Sequence, residues 1–419
     1  MNLPGGGVVC ESVGMAATPL LAEVLASDAE GLARACAYLR AGRCVAFPTE
    51  TVYGLGANAL DAAAVQSIFA YKGRPLTDPL IVHVGSCGAA EALIALAPEQ
   101  LRVFRALGAA LWPGPLTLVA PAVPALPACV SAGTGFVGVR VPNHPTALAL
   151  LQGAALPIAA PSANRFGHVS PTRAAHVLSD LGHAPILVLD AAAAGGAAAP
   201  CAVGIESTVC RVEALAEGGG GGTRLTVLRR GGVSVEALRG ALQGDPGVCA
   251  ARVHIVVGGA SAAAAEAQQP QVAPGQLLTH YAPDIPAFLV APAAGGAADA
   301  GGAAAGAAAA AAAAAPGARP PHPTRAVILD FGGQLLHARG SAVAYRELVG
   351  EGGGAASAAR GVFEALRWAE AVPGATGVLL ADPRAVDASE GAEAVRDRLF
   401  RAASGRVVTW EQALGAGTA

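Results

Sequence analysis

Residues 28–84 read DAEGLARACAYLRAGRCVAFPTETVYGLGANALDAAAVQSIFAYKGRPLTDPLIVHV, and twice within them a helical period gives way to a short apolar run. Leu32, Cys36 and Leu39 recur at helical spacing between Asp28 and Arg43, Gly42 stops the turn, and Cys44 to Phe47 reads as a strand. After a loop over Pro48 to Asn58, Asp61 caps a second helix bearing Val65, Ile68 and Phe69. That helix runs into Lys72-Gly73-Arg74-Pro75 and then the strand Leu80 to Val84. Further along, helix signals recur at Pro98 to Leu111, Pro145 to Leu151, Pro171 to Leu181 with Ser170 as cap, and Val235 to Leu242 with Ser234 as cap. Strand signals recur at Leu116 to Ala120, Val137 to Val141, Pro157 to Ala160, Ile186 to Leu189, Ser207 to Val212 and Leu225 to Leu228. Such mixing without strict alternation predicts an α/β domain with a twisted mixed sheet and helices.

A chain of 419 residues is long for one compact domain, and two are expected. The mean hydropathy of +0.49 comes largely from Ala and Gly, and the most apolar windows are cut by Pro113, Pro115 and Pro121 or by Asp190 and Gly195-Gly196, so no membrane span is expected. A net charge of -3 excludes a whole-surface polycation and leaves only a local basic cleft for nucleic acid. The eight cysteines form no Cys-x-x-Cys pair, which speaks for small core residues in a reducing compartment. The first 33 residues contain no Lys or Arg, unlike a signal or transit peptide. The cytoplasm is therefore the expected location, an organellar one requiring an N-terminus that begins further upstream.

Lys72 is the only lysine, the other 26 basic residues being arginine. In a chain so biased, a compact ammonium is kept where a planar guanidinium cannot replace it. Polar residues gather in loops at strand ends: Thr49-Glu50-Thr51, Lys72 and Arg74, His83, Arg140, and Ser162-Ala163-Asn164. Strand-end loops of open α/β sheets are where ligands bind, and Lys72 with Arg74 on one stiffened loop suit a polyphosphate. There is no Walker loop and no Gly-x-Gly-x-x-Gly after a strand, so a nucleotide must be held otherwise. On pattern alone His83 reads as a satisfied core histidine, Ser162 and Asn164 as a turn or cap, and Arg140 as an arginine needing either an anionic ligand or a structural acid.

Phe47-Pro48-Thr49-Glu50-Thr51-Val52-Tyr53-Gly54-Leu55-Gly56, Tyr71-Lys72-Gly73-Arg74-Pro75 and Pro79-Leu80-Ile81-Val82-His83-Val84 resemble the YrdC family of threonylcarbamoyl-AMP synthases. So do Trp112-Pro113-Gly114-Pro115-Leu116-Thr117, Val139-Arg140-Val141-Pro142, Ala160-Pro161-Ser162-Ala163-Asn164 and Glu206-Ser207-Thr208-Val209. The resemblance implies conversion of L-threonine, bicarbonate and ATP to threonylcarbamoyl-AMP and pyrophosphate, with Mg²⁺. The product then serves a tRNA threonylcarbamoyl transferase machinery. It implies catalytic roles for Lys72, Arg74, Ser162 and Asn164, and ATP binding by these with Asp78, Arg229 and Tyr281. Thr51, His83, Arg140 and Ser207 are implied as the L-threonine pocket. Arg230 stands beside Arg229, and the motif leaves open which reaches nucleotide. His168, His176 and His280 lack metal-ligand spacing and are read as structural, with no protein-held metal site.

Pro274-Gly275 and His280-Tyr281-Ala282-Pro283 resemble the linker that covers the active site in the long, two-domain form. The expected organisation is a catalytic domain at 25–245, a linker or lid at 246–284, and a small Rossmann-like parallel α/β domain at 285–415 interrupted by a low-complexity insert at 292–323. Ala326 to Asp330, Ala355 to Ala371, Gly377 to Ala381 and Gly391 to Ala403 supply its βαβα rhythm. The rival reading is a double-stranded RNA or tRNA-binding module, disfavoured by the charge. Carbamoyl transfer in hydrogenase maturation, a second rival, would bring Cys-x-x-Cys zinc motifs that this sequence lacks.

Overall fold

A computed structural model describes residues 21–194, 201–215, 222–258, 270–275, 277–291, 322–350 and 353–413. The nine-alanine run Ala307 to Ala315, nearly all of the 292–323 insert, and the Ala- and Gln-rich stretch from Ser261 to Gln269 lie outside the described residues.

The first sheet is mixed and has eleven strands: β1 (Glu23–Ala26), β2 (Val45–Phe47), β3 (Gly54–Asn58), β4 (Ile81–His83), β5 (Leu116–Pro121), β6 (Phe136–Arg140), β7 (Ile158–Ala159), β8 (Leu187–Asp190), β9 (Thr208–Ala214), β10 (Thr223–Arg229) and β11 (Val253–Val257). Its order is β1-β8-β2-β3-β7-β4-β6-β5-β9-β10-β11. Parallel pairs such as β4 with β6 (Val82 opposite Val139) stand beside antiparallel ones such as β2 with β3 (Ala46 opposite Leu55). The mixed twisted sheet expected from the sequence is present.

The second sheet, β12 (Ala287–Val290), β13 (Ala326–Asp330), β14 (Ala344–Glu347), β15 (Gly377–Ala381) and β16 (Val407–Val408), is parallel throughout in the order β14-β13-β15-β12-β16. β12, β13 and β15 are buried at every position, as parallel strands covered on both faces are.

Helix starts follow the capping chemistry read from the sequence. Asp61 accepts from the Ala63 and Ala64 amides and Ser234 from that of Ala237, and Asp28, not among the caps read from the sequence, accepts from the Gly31 amide. Four local readings change. Gly54 to Asn58, expected as loop, is β3 at the centre of the sheet; a side chain at Gly56 would come within 2.6 Å of Ile158 Cγ2, so close packing selects glycine there. Lys72 is the last residue of the helix Ala62–Lys72, separated from Arg74 by the left-handed cap Gly73, so the two basic residues do not share one loop. Ser170 caps nothing: the helix begins at Ala174, and Ser170 Oγ donates to Glu206 Oε1 at 3.0 Å. Cys249 is exposed, whereas Cys36, Cys44, Cys201 and Cys210 are buried thiols as expected. Among the described residues no helix is long and apolar enough to cross a membrane.

Two buried clusters correspond to the two sheets. Ile205 and Tyr281 belong to the second cluster, beside Phe288, Phe331 and Phe363, so the linker is packed into the core of the C-terminal region.

Candidate active site

A cleft with about 560 Å³ of unfilled space, part of it open to solvent, lies where the loops after β2 and β7, the ends of β4, β6 and β10 and the start of β9 meet the linker. Of the residues singled out from the sequence, Thr51, Arg74, His83, Arg140, Ser162, Ser207, Arg229 and Tyr281 line it. Lys72, Asp78 and Asn164 stand behind its wall.

The lysine ammonium is buried and donates to the backbone oxygens of Ser162, at 2.6 Å, and Asn164. It ties the end of a helix to the Ser-Ala-Asn loop, and burial, reinforced by Arg74, holds its pKa well below the usual lysine range. Arg74 donates to the Asp78 and Pro79 carbonyls and lies 2.9 Å from Asp78 Oδ1. Burial pushes the Asp78 carboxyl up, opposed by Arg74 and Lys72. Asn164 spends its amide hydrogens on the Arg165 and His168 carbonyls at 2.7 and 2.9 Å, which leaves Oδ1, an acceptor, without a hydrogen bond.

Arg140 donates from Nη1 to Thr51 Oγ1 at 3.1 Å and from Nε to the Gly114 carbonyl at 3.3 Å, while Nη2 lies 2.6 Å from Glu50 Oε2. Glu50 is thus one anionic partner of this buried arginine. His83 Nδ1 has no hydrogen-bond partner, and burial lowers the ring's pKa to about 3, so the imidazole is neutral. Ser207 Oγ is 2.7 Å from Thr117 Oγ1 and accepts from Arg229 Nη2 at 3.2 Å.

Arg229, not Arg230, faces the cleft; its guanidinium also donates to Ser207 O at 3.0 Å and Pro274 O at 3.4 Å, while the Arg230 carbonyl accepts from Arg398. Tyr281 is fully buried in the left-handed region (φ 62°), its hydroxyl without a partner, and His280 packs edge-on against it at 4.2 Å. His280, read as merely structural, thus lines the cleft, as do Thr49, Glu206 and Gly275, which stand in the quoted motifs but were assigned no role of their own. The signal for them was adjacency to singled-out motif residues.

The fold does assemble a histidine with two acids despite the lack of metal-ligand spacing. His168, Asp284 and Glu370 place ligand atoms within 4.8 Å of one another. Their charges are already matched: His168 Nδ1 lies 2.8 Å from Asp180, His168 Nε2 3.0 Å from Glu370, Arg165 2.5 Å from Asp284 and Arg367 3.0 Å from Asp180. This is an ion-pair clasp between the two domains.

A family model described as "Telomere recombination" matches residues 37–231, and one described as "Threonylcarbamoyl-AMP synthase, C-terminal domain" matches residues 233–404. The chain is 40% identical over 268 residues to the threonylcarbamoyl-AMP synthase of Bacillus subtilis, covering 62% of this chain and 67% of that protein. It is 40% identical over 256 residues to that of Pyrococcus abyssi, covering 61% and 66%. A crystal structure of P. abyssi Sua5 complexed with L-threonine superposes with a TM-score of 0.68 at 29% identity, covering 93% of this chain and 99% of that one. With both domain models matched in order and the two-sheet architecture shared, the chain belongs to the two-domain YrdC family of threonylcarbamoyl-AMP synthases.

Proposed function

We propose that this chain joins L-threonine, bicarbonate and ATP into threonylcarbamoyl-AMP with release of pyrophosphate, and that a tRNA threonylcarbamoyl transferase machinery consumes the product. The observation that carries this reading is the cleft itself. Arg74, Arg140 and Arg229 line it together with the hydroxyls of Thr51, Ser162 and Ser207, and Tyr281 is brought against them by the linker.

In the reaction, the amine nitrogen of threonine bonds to the carbon supplied by bicarbonate, which gives up water. A carbamate oxygen then bonds to the α-phosphorus of ATP as the bond to the bridging oxygen breaks and pyrophosphate leaves with the electron pair. Nothing here requires a covalent enzyme intermediate. The protein must position three small reactants and offset phosphoryl charge, worth several kcal/mol together. Arg140, Thr51 and Ser207 supply donors for the threonine carboxylate and hydroxyl, and the neutral His83 adds an uncharged polar edge. Arg74 and Arg229 face the phosphates. Lys72 holds the Ser162–Asn164 loop and, with Arg74, makes that side of the cleft cationic. Mg²⁺ would arrive with ATP and supply further neutralisation of phosphate charge. It takes oxygen ligands and leans mainly on substrate phosphates, and Asn164 Oδ1, an acceptor without a hydrogen bond, fits that demand, whereas the Asp78 carboxylate is already paired with Arg74 at 2.9 Å.

The test is pyrophosphate release with threonine, bicarbonate and ATP each omitted in turn. Dependence on all three is expected, and release indifferent to threonine would sink the reading. The RNA-binding alternative is not favoured, since the relatives are named as synthases.

A further inference from the structure

Arg398, on the C-terminal helix Glu390–Ala402, is fully buried, and besides Ala394 and Asp397 of its own helix it reaches partners in the other domain. Nε donates to Glu206 Oε2 at 3.0 Å and Nη1 to the Arg230 carbonyl at 2.7 Å, and the guanidinium carbon lies 5.9 Å from the centroid of the Tyr281 ring. Glu206 is the only carboxylate among the described residues that line the cleft, on a wall otherwise furnished with Arg74, Arg140 and Arg229. It precedes Ser207, and its other oxygen accepts from Ser170 at 3.0 Å. The carboxylate is thus gripped from both sides, once by its own domain and once by the second. We propose that Arg398 is a positioning residue that holds Glu206 toward the ammonium end of the amino-acid substrate, so that the C-terminal domain completes the active site. This rests on the synthase reading above.

Docking alone does not account for the contact. The domains are already joined by Arg367 with Asp180, Glu370 with His168, Glu364 with Arg173, and Glu390 with the Val235 amide, all remaining if Arg398 is changed. A cation on a cleft carboxylate also decides what that carboxylate can offer a ligand: with Ser170 and Arg398 fixing it, Glu206 presents one orientation to an incoming amine.

The experiment is a double-mutant cycle on the full chain with Arg398→Lys and Glu206→Gln. Arg398→Lys keeps the charge and is chosen because deleting one member of a buried pair risks the fold. Melting temperature, the KM values of threonine and ATP, and kcat are read for each variant. Losing a hydrogen bond to a charged group corresponds to about 10- to 100-fold. Arg398→Lys is expected to raise the threonine KM within that range, leave the ATP KM and melting temperature near wild type, and add little when Glu206 is already Gln. Wild-type threonine KM in Arg398→Lys, multiplying effects in the double variant, or a loss that follows melting temperature would each overturn the proposal. Threonine binding by calorimetry separates the two readings. A wild type that binds threonine without releasing pyrophosphate fails the synthase reading, whereas unchanged binding in Arg398→Lys fails this one alone.

Discussion

Arg140 and Glu50, both nearly inaccessible to solvent, meet at 2.6 Å between Nη2 and Oε2, so the arginine proposed to hold the threonine carboxylate is already facing a carboxylate of the protein. Nη1 on Thr51 and Nε on the Gly114 carbonyl fix the plane of the guanidinium, leaving a substrate carboxylate to share it with Glu50. A lysine at this position keeps the charge and loses the fork. Arg140→Lys is expected to raise the threonine KM by about 10- to 100-fold, the cost of a hydrogen bond to a charged group, with kcat changed far less. Initial rates at saturating ATP decide it, and an unaltered KM rejects the assignment.

Lys72 acts through a different geometry, because its ammonium binds two backbone oxygens of the Ser162–Asn164 loop instead of lining the cleft. Removing it takes away both a cation beside Arg74 and the tie that shapes the loop. Lys72→Ala is expected to lower kcat by about 10²–10³, as for loss of one transition-state donor. Lys72→Arg should not restore it, since a planar guanidinium cannot converge on two carbonyls from one point. Full activity in either variant, measured as threonine-dependent pyrophosphate release, would remove Lys72 from the mechanism.

The parts of this molecule that were legible in the sequence are those written in local chemistry. Asp61 and Ser234 announced helix starts, and apolar runs such as Leu116 to Ala120 announced buried strands. β3 was hidden because Gly54-Leu-Gly-Ala-Asn58 has no β-branched residue; Gly56 answers to Ile158, about a hundred residues on, as well as to Phe47 on the neighbouring strand. For the same reason Ser170 looked like a cap until Glu206 was seen beside it. The cleft's motif residues were readable from the resemblance, but the tertiary contact between Glu206 and Arg398 is one that no periodicity records.

The interdomain clasp makes stability depend on pH in a calculable direction. Burial lowers the pKa of His168, but hydrogen bonds and charge from Asp180 and Glu370 outweigh it and leave the pKa raised above 6.5; Asp284, Arg165 and Arg367 complete the charged surroundings. A raised histidine stabilises fully below its unfolded value, and that contribution is lost as pH rises through the folded value. The melting temperature is therefore expected to fall as pH is raised from 6.5 through that point, by about 1 °C for each kcal/mol lost in a chain of this length. Asp180 has the opposite sense: burial raises its pKa, but His168 and Arg367 bring it below 3.8, so its contribution is present above that pH and lost toward acid. His168→Gln should flatten the neutral-to-alkaline decline and, because His168 also helps to lower Asp180, shrink the acid one without removing it, Arg367 remaining. A decline of the same size in His168→Gln would assign it to another group.

Gly275 tests whether the linker acts on the chemistry or only joins the domains. Its φ of +79° is a conformation that costs an L-residue about 1–2 kcal/mol, and a Cβ there would lie 2.9 Å from Arg229 Nη1 and 3.3 Å from the Tyr281 hydroxyl. Gly275→Ala therefore strains the backbone and presses on two cleft residues at once. Gly333, with φ +75° and open space where a methyl group would stand, carries the same strain in the second domain with nothing to press on. If Tyr281 and Arg229 close over the nucleotide, Gly275→Ala lowers turnover by about tenfold or more and lets adenylate escape sooner, through mispositioned transition-state contacts. Gly333→Ala should then lose comparable stability and keep turnover. Equal activity losses in the two variants, each following its melting temperature, would mean that the linker contributes only to folding, and the closure attributed to Tyr281 would have to be abandoned.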